Sequence, residues 1–474
     1  METVHFTLSD ISDFILNAYN KQVCVIKQFK SHEDKVLLVQ ELHPFKEGDK
    51  YIFKILLFKK DEETLLKRIT AVKFLLQQGF ICSEFLKGKD GNYTQSFEKG
   101  GSKYLCILYS YLPGIELEYA VDLRDIRTLF ETGALAGYLH KTFESFSVEN
   151  LNPDPEDAWL FSNFHLLKKE EYLCNVTGLL ILQKRLIHCQ DLKEKIVKAI
   201  EDAEKSFLSK QNLLKKGFVH GDFHTLNVIV KEAMINLRKD NFLCTEISHS
   251  SSVSKETKGS HLELLNCLTQ SQHTSKNASI EYLLLKYGII DFGEIIYTFR
   301  VLEVGRLITD IMVSILMAHY FNKGRVINVQ PKTEKSHSHK EDILILNGEQ
   351  TKHVGINSLD IPVYHDDQTV KLLDSEKIVK DICKAGAVIL KGYFSTNSLS
   401  ECELAVLMDA MLISLAQYIV LIDLSQMKDD EESQIDLKCR ESSIILFQEF
   451  CKIEKDDFFR LYLDVVCNIS QELV

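Results

Sequence analysis

The stretch FVHGDFHTLNVIV, residues 218 to 230, sets His, Gly, Asp and Asn at fixed spacing ahead of a β-branched, apolar run. Val228-Ile-Val230 is a short strand signal. An Asp and an Asn in one tight loop before that strand, Asp222 and Asn227, can aim at a single point. Asx residues also cap turns locally, so the stretch alone is compatible with plain turn chemistry. A chemical role needs a second carboxylate at a neighbouring strand end.

Tyr287-Gly-Ile-Ile-Asp-Phe-Gly293 supplies the second carboxylate, where a β-branched run ends in Asp291 with a permissive glycine behind it. A cation stands in Tyr51-Ile-Phe-Lys-Ile55, where Lys54 lies in a strand just ahead of a helix that opens with Glu62 and Glu63. Phosphoryl transfer uses this combination: a base for the acceptor, oxygen ligands for magnesium, and a lysine on the phosphates. Glu62 is placed to orient Lys54.

The surrounding pattern divides the chain. Thr7 with Asp10 has the form of a capping box ahead of apolar Ile11, Phe14 and Ile15. Short β-rich runs follow at Val23–Phe29, Lys35–Leu42 and Tyr51–Phe58, separated by polar turns. Residues 61–78 read as a helix with Glu62, Leu65, Ile69, Val72 and Leu76 on one face, stopped by Gly79. A strand pair then ends in Tyr104–Leu112, broken by Pro113-Gly114. Beyond it the pattern is mainly helical, and Gly133, Ala134, Ala136 and Gly137 allow a close helix crossing. The fold class is therefore α+β, with a small N-terminal lobe, 1–112, and a larger C-terminal one, 113–474. Polar insertions are expected at about 234–279 and 324–370, the second carrying a His337-Ser-His339 that reads as solvated loop rather than metal site.

A net charge of −12 disfavours nucleic acid or an anionic membrane as the main partner. The twelve cysteines form no C-x-x-C pair and lie mostly in apolar runs, as buried small residues do in a reducing compartment. Polar breaks in Leu404–Leu424 mark a core helix rather than a membrane span. No signal peptide is read at the N-terminus, and the expected location is cytoplasmic.

Taken together, Tyr51-Ile-Phe-Lys54, Leu112-Pro-Gly114, Gly133 to His140, His220-Gly-Asp222, Ile290-Asp-Phe-Gly-Glu294, Glu303-Val304 and Gly392-Tyr393 resemble the aminoglycoside phosphotransferase and choline kinase group. Within it the likeness is greatest to the hydroxylysine kinases. The resemblance implies a bilobal protein-kinase-like fold, Asp222 as catalytic base, and Asn227 and Asp291 as Mg²⁺ ligands. It also implies Lys54 on the nucleotide phosphates and a purine held by main-chain groups around Tyr109, Tyr111 and Leu112. The implied donor is GTP, or ATP, and the implied acceptor 5-hydroxy-L-lysine. Choline, ethanolamine or an amino sugar are alternative acceptors, and a nucleotide-binding pseudokinase serving as an interaction module is the reading of another class.

Three features depart from that group. Ser31-His-Glu-Asp-Lys35, over the phosphates, has no glycine; Ser414 stands where relatives carry an Arg; and residues 234–279 lengthen the path from Asp222 to Asp291. If that segment loops out of a hairpin, the expected site survives the insertion. For the acceptor, Trp159, Glu294 and Glu303 are the candidates, with Asp310, Arg300 and Arg306 nearby. Surface charge pairing along a helix accounts for the charged ones equally well.

Overall fold

The computed structural model describes residues 6–29, 34–44, 47–57, 62–146, 189–231, 261–274, 280–321, 375–426 and 434–468. Trp159, His337, His339 and the segment 324–370 lie outside them.

Helix α1, Leu8–Tyr19, is closed at its start by the expected capping box: Thr7 Oγ1 accepts from Asp10 N at 3.1 Å, and Asp10 Oδ2 accepts from Thr7 N at 2.8 Å. Its buried Ile11, Ile15 and Tyr19 cover an antiparallel sheet. The strands are β1 (Val23–Phe29), β2 (Asp34–Glu41) and β3 (Lys50–Leu56), followed after helix α2 (Glu62–Gln77) by β4 (Thr94–Lys99) and β5 (Ser102–Ser110). Their order is β1-β2-β3-β5-β4. Gly100 and Gly101 join β4 to β5 with φ of 59° and 76°, the twist a tight hairpin requires.

After Gly114 come β6 (Ile115–Glu116), α3 (Leu117–Ala120), α4 (Ile126–Phe143), α5 (Cys189–Lys210), β7 (Lys216–Val219) and β8 (Val228–Val230). Next are α6 (His261–Thr274), α7 (Ile280–Lys286), β9 (Tyr287–Ile289), β10 (Ile296–Phe299) and α8 (Arg300–Phe321). The chain ends in α9 (Ser375–Thr396), α10 (Glu401–Ala405), α11 (Leu407–Gln426), α12 (Gln434–Phe450) and α13 (Lys455–Asn468). Among the described residues no helix is long and apolar enough to cross a membrane.

Two small ribbons carry the central loops. β10 pairs with β7, placing Ile296 opposite Val219, and β8 pairs antiparallel with both β6 and β9. Val228 faces Ile289 and Val230 faces Tyr287, so the chain leaves at Val230 and returns at Tyr287 on the adjacent strand. The long excursion therefore does loop out of a hairpin. It is not purely polar loop, which corrects the expectation for 234–279. Residues 261–274 form α6, whose Leu264 and Leu268 are one turn apart and fully buried in the main core. The expected core helix over 404–424 is present as α11, preceded by the separate α10, and its Asp409 is neutralised by Lys455 at 2.7 Å.

Helices α4 and α9 cross at close range because glycines remove side chains from the contact. A Cβ at Gly133 would collide with the Ile389 carbonyl, and one at Gly392 with the Phe130 carbonyl. Both obstacles are main chain, which cannot rotate away. Gly133→Ala and Gly392→Ala are each expected to cost about 1–3 kcal/mol of unfolding free energy in a urea titration, as overpacking does.

Candidate active site

The loop between β7 and β8 is anchored from below by a carboxylate. His220 N and Gly221 N donate to the two oxygens of Glu303 at 3.1 and 2.6 Å. Glu303, on α8, is 1% exposed and meets His140 Nε2 at 2.7 Å, while His140 Nδ1 meets the Tyr393 hydroxyl at 2.9 Å. His140 thus links Glu303 to Tyr393 through its two ring nitrogens. Burial raises the Glu303 carboxyl, but the His140 hydrogen bond, the facing rings and the loop amide lower it further. This corrects the assignment of Glu303 to the acceptor: it is enclosed beneath the loop, with both oxygens committed. Glu294 ends a single 3₁₀ turn, Phe292–Glu294, and its carbonyl packs against Gly221. With φ at 84° and that carbonyl where a Cβ would be, position 221 admits only glycine.

Held this way, Asp222 sits among donors. Arg306 Nη2 donates to Oδ1, His224 Nε2 lies 3.3 Å from Oδ2, and Asn227 Nδ2 reaches Oδ2 at 3.2 Å and the Asp222 carbonyl at 2.9 Å. Burial raises the Asp222 carboxyl, yet the Arg306 guanidinium and then the His224 ring hold it well below the usual carboxylate range. Asn227 thus spends its amide N–H on Asp222, which turns its Oδ1 away as an acceptor.

Ile290 N donates to the Asn227 carbonyl at 3.0 Å, so the β8–β9 pairing sets Asn227 beside the residue that precedes Asp291. Asp291 takes left-handed backbone angles, φ 56° and ψ 62°, unusual for a residue with a Cβ. Its side chain is 51% exposed and faces Lys54 Nζ at 3.8 Å, bridging the five-stranded sheet and the loop region. The exposed Asp291 carboxylate and the Asn227 amide oxygen, on adjoining strand ends, are hard oxygen donors of the kind Mg²⁺ takes, so this pair fits the implied ion.

The acid closest to Lys54 is Asp34, at 3.1 Å, not Glu62. Glu62 instead accepts from Thr94 Oγ1. The reason is register: β2 and β3 pair Val36 with Lys54, so Asp34, two residues before Val36, occupies the same face diagonally opposite the lysine. Burial lowers the Lys54 ammonium, but Asp291, Tyr109 and Asp34 together hold it above its usual value. Tyr109 shares that face too, since Lys54 pairs with Ile107 in β5, and its ring packs on Phe85. Beyond it Tyr111 N donates to Lys50 O at 3.0 Å, and the Leu112 side chain lies over Gly288.

On the other side of Asp222 a second polar group gathers. Thr225 Oγ1 lies 3.0 Å from Glu118 Oε2 and 3.1 Å from Asp310 Oδ2, and the Tyr418 hydroxyl donates to Asp310 Oδ1 at 2.9 Å. Burial and the Asp310 charge push the Glu118 carboxyl up to about 7. Glu118 and Asp34 are the residues sequence reasoning missed. Only strand register could have indicated Asp34, and Glu118 carries no local signal beyond following the Pro-Gly break. Ser414 is buried and accepts from Thr309 Oγ1 at 2.8 Å.

No protein-family model matches this sequence, and no curated protein matches it. Solved structures do. An amicoumacin kinase in complex with AMP-PNP, Ca²⁺ and Ami matches with a TM-score of 0.51 at 13% identity, covering 96% of this chain and 97% of that one. A microcompartment-associated aminopropanol kinase matches with a TM-score of 0.50 at 10% identity, covering 97% and 99%. At such identities the shared property is the fold, which is protein-kinase-like over nearly the whole chain.

Replacing one Glu303 oxygen by an amide leaves a loop N–H facing a donor. Glu303→Gln is expected to lose about 1–3 kcal/mol in urea unfolding, the cost of an unsatisfied buried group. Because the native carboxyl lies below its ordinary value of 4.5, its stabilisation is complete above that pH and is lost as pH falls through the native value. Glu303→Gln should flatten that acid limb of the stability profile.

Proposed function

We propose that this protein is a small-molecule kinase that moves the γ-phosphate of GTP or ATP to the hydroxyl of an amino alcohol, with 5-hydroxy-L-lysine as acceptor. The observation that carries the reading is the Lys54–Asp291 ion pair, closed across the cleft beside Asn227 and Asp222. Two structurally similar enzymes, both kinases and one of them an aminopropanol kinase, support it. GTP is the donor that the likeness to hydroxylysine kinases implies.

In this reading residues 1–112 bind the nucleotide and residues 113–474 supply the chemistry and the acceptor pocket. Main-chain groups around Tyr111 and Leu112, just past the end of β5, meet the purine edge, with Tyr109 beside them. Lys54, steadied by Asp34, neutralises the phosphates. Asn227 Oδ1 and the Asp291 carboxylate would hold Mg²⁺, which would supply charge neutralisation on the phosphates. Asp222 stays ionised at any working pH, orients the acceptor hydroxyl for in-line attack, and takes its proton as the new O–P bond forms. Its low basicity suits a loose transition state, in which the proton leaves late. Glu118 and Asp310 lie where an acceptor ammonium needs a counter-charge.

The test is release of nucleoside diphosphate from Mg²⁺-GTP and Mg²⁺-ATP with hydroxylysine, choline, ethanolamine and amino sugars. Turnover of hydroxylysine, reduced roughly 10²–10⁴-fold by Asp222→Asn, is the expected result. Turnover of another amino alcohol alone would replace the acceptor, and nucleotide binding with no turnover would make the chain a pseudokinase. A second expectation concerns pH. Glu118 is neutral below about 7 and anionic above it, so the KM for an amine-bearing acceptor should fall as pH rises through 7. Glu118→Gln should remove that dependence while leaving the KM for nucleotide unchanged.

A further inference from the structure

The cysteines do not form one population. Cys82, Cys106 and Cys383 are buried as small apolar residues, whereas Cys267 and Cys467 meet at the surface. Their sulfurs are 2.6 Å apart, inside ordinary contact between two thiols, though 200 residues separate them in sequence. Cys267 lies on α6, within the excursion between β8 and β9, and is partly exposed. Cys467 lies in the last turn of α13 and is exposed. Both helices are held in place independently of the sulfurs: Leu264 and Leu268 anchor α6, and Phe458, Tyr462 and Val466 anchor α13. The thiols therefore face each other on two rigid supports, not on loops that drift together.

The neighbourhood favours reaction. Lys391 on α9 donates to the Val466 carbonyl at 3.0 Å, next to Cys467, and its ammonium acts on both sulfurs. The hydrogen bond from Cys467 draws the Cys267 thiol down to about 7, opposed by burial and aided by Lys391. That same hydrogen bond raises Cys467. An accessible thiolate beside a second thiol and a cation is the arrangement of a reversible thiol pair, with Cys267 as attacking sulfur and Cys467 as resolving one.

We propose that Cys267 and Cys467 form a reversible intramolecular disulfide that clamps α6 onto α13. With a small disulfide such as glutathione disulfide as oxidant, the Cys267 thiolate attacks one sulfur, breaking its S–S bond and releasing one glutathione thiolate. Cys467 then loses its proton to solvent or to that thiolate and attacks Cys267 Sγ, releasing the second glutathione. Two protein thiols are oxidised, one glutathione disulfide is reduced to two glutathiones, and protons balance. The product ties the long excursion between β8 and β9 to the C-terminal helix, and a dithiol reductant reverses it. The proposal is independent of the kinase reading.

The full chain, incubated with glutathione disulfide, alkylated and digested without reductant, should yield a linked peptide pair containing Cys267 and Cys467. Its mass should lie two hydrogens below the sum of the reduced peptides, and dithiothreitol should abolish it. The oxidised chain should melt at higher temperature, because the cross-link closes a long loop of the unfolded chain. In Cys467→Ser the first step should stop at a stable glutathione adduct on Cys267, which distinguishes resolution from simple surface oxidation. A wild-type chain that keeps a glutathione adduct on Cys267, or keeps both thiols reduced while other cysteines react, would overturn the proposal.

Discussion

Two backbone N–H groups of the loop after β7 end in one buried carboxylate, and the site follows from that. His220 and Gly221 could not keep their main-chain donors away from water without an acceptor, and Glu303 on α8 supplies both oxygens. His140 and Tyr393 complete a chain that reaches α4 and α9, the helices brought together by Gly133 and Gly392. The α4–α9 crossing and the position of Asp222 are thus mechanically linked. A change in the α4–α9 crossing would shift His140, then Glu303, and then the loop.

The second constraint is strand register. Lys54 obtains its acid from β2 because Val36 is its direct partner, and it faces Tyr109 because Ile107 is its partner in β5. Across the cleft, pairing of Val228 with Ile289 puts Asn227 beside the start of the Ile290–Asp291 turn. The left-handed backbone at Asp291 then directs its carboxylate outward, toward Lys54. Three separate ladders therefore converge on one small volume. Each is held by hydrogen bonds remote from the groups it aims, which is how a rigid scaffold keeps charged side chains in place.

The polar residues beyond Asp222 show the cost of crowding acids. Thr225 has one hydroxyl proton and two carboxylates within reach, so it can donate to only one of them. Desolvation and the charge of Asp310 then favour a proton on Glu118. Arg306 balances Asp222 directly and stacks near Tyr418, whose hydroxyl holds Asp310. Acid and base are interleaved so that each charged group near the loop has a neighbour of opposite sign or a donor.

Much was legible without coordinates. The capping box at Thr7, the early strands, the helix over 61–78, the stop at Gly79 and the small residues of α4 follow from local chemistry and periodicity, which act over a few neighbours. The loop residues Asp222 and Asn227 were legible because their spacing is itself the constraint. Asp34, Glu118 and the roles of Glu303 and Cys267 were not, since each depends on a partner tens or hundreds of residues away. Glu62 is nearer to Lys54 along the chain than Asp34 is, yet sheet register, not sequence proximity, selected Asp34. Likewise the polar look of 234–279 concealed a helix, because two leucines one turn apart suffice once α13 is present to cover them. Local sequence determined which elements form and which side chains can do chemistry; only the tertiary structure decided which of them meet, because pairing across a sheet or between helices is set by packing that no single segment contains.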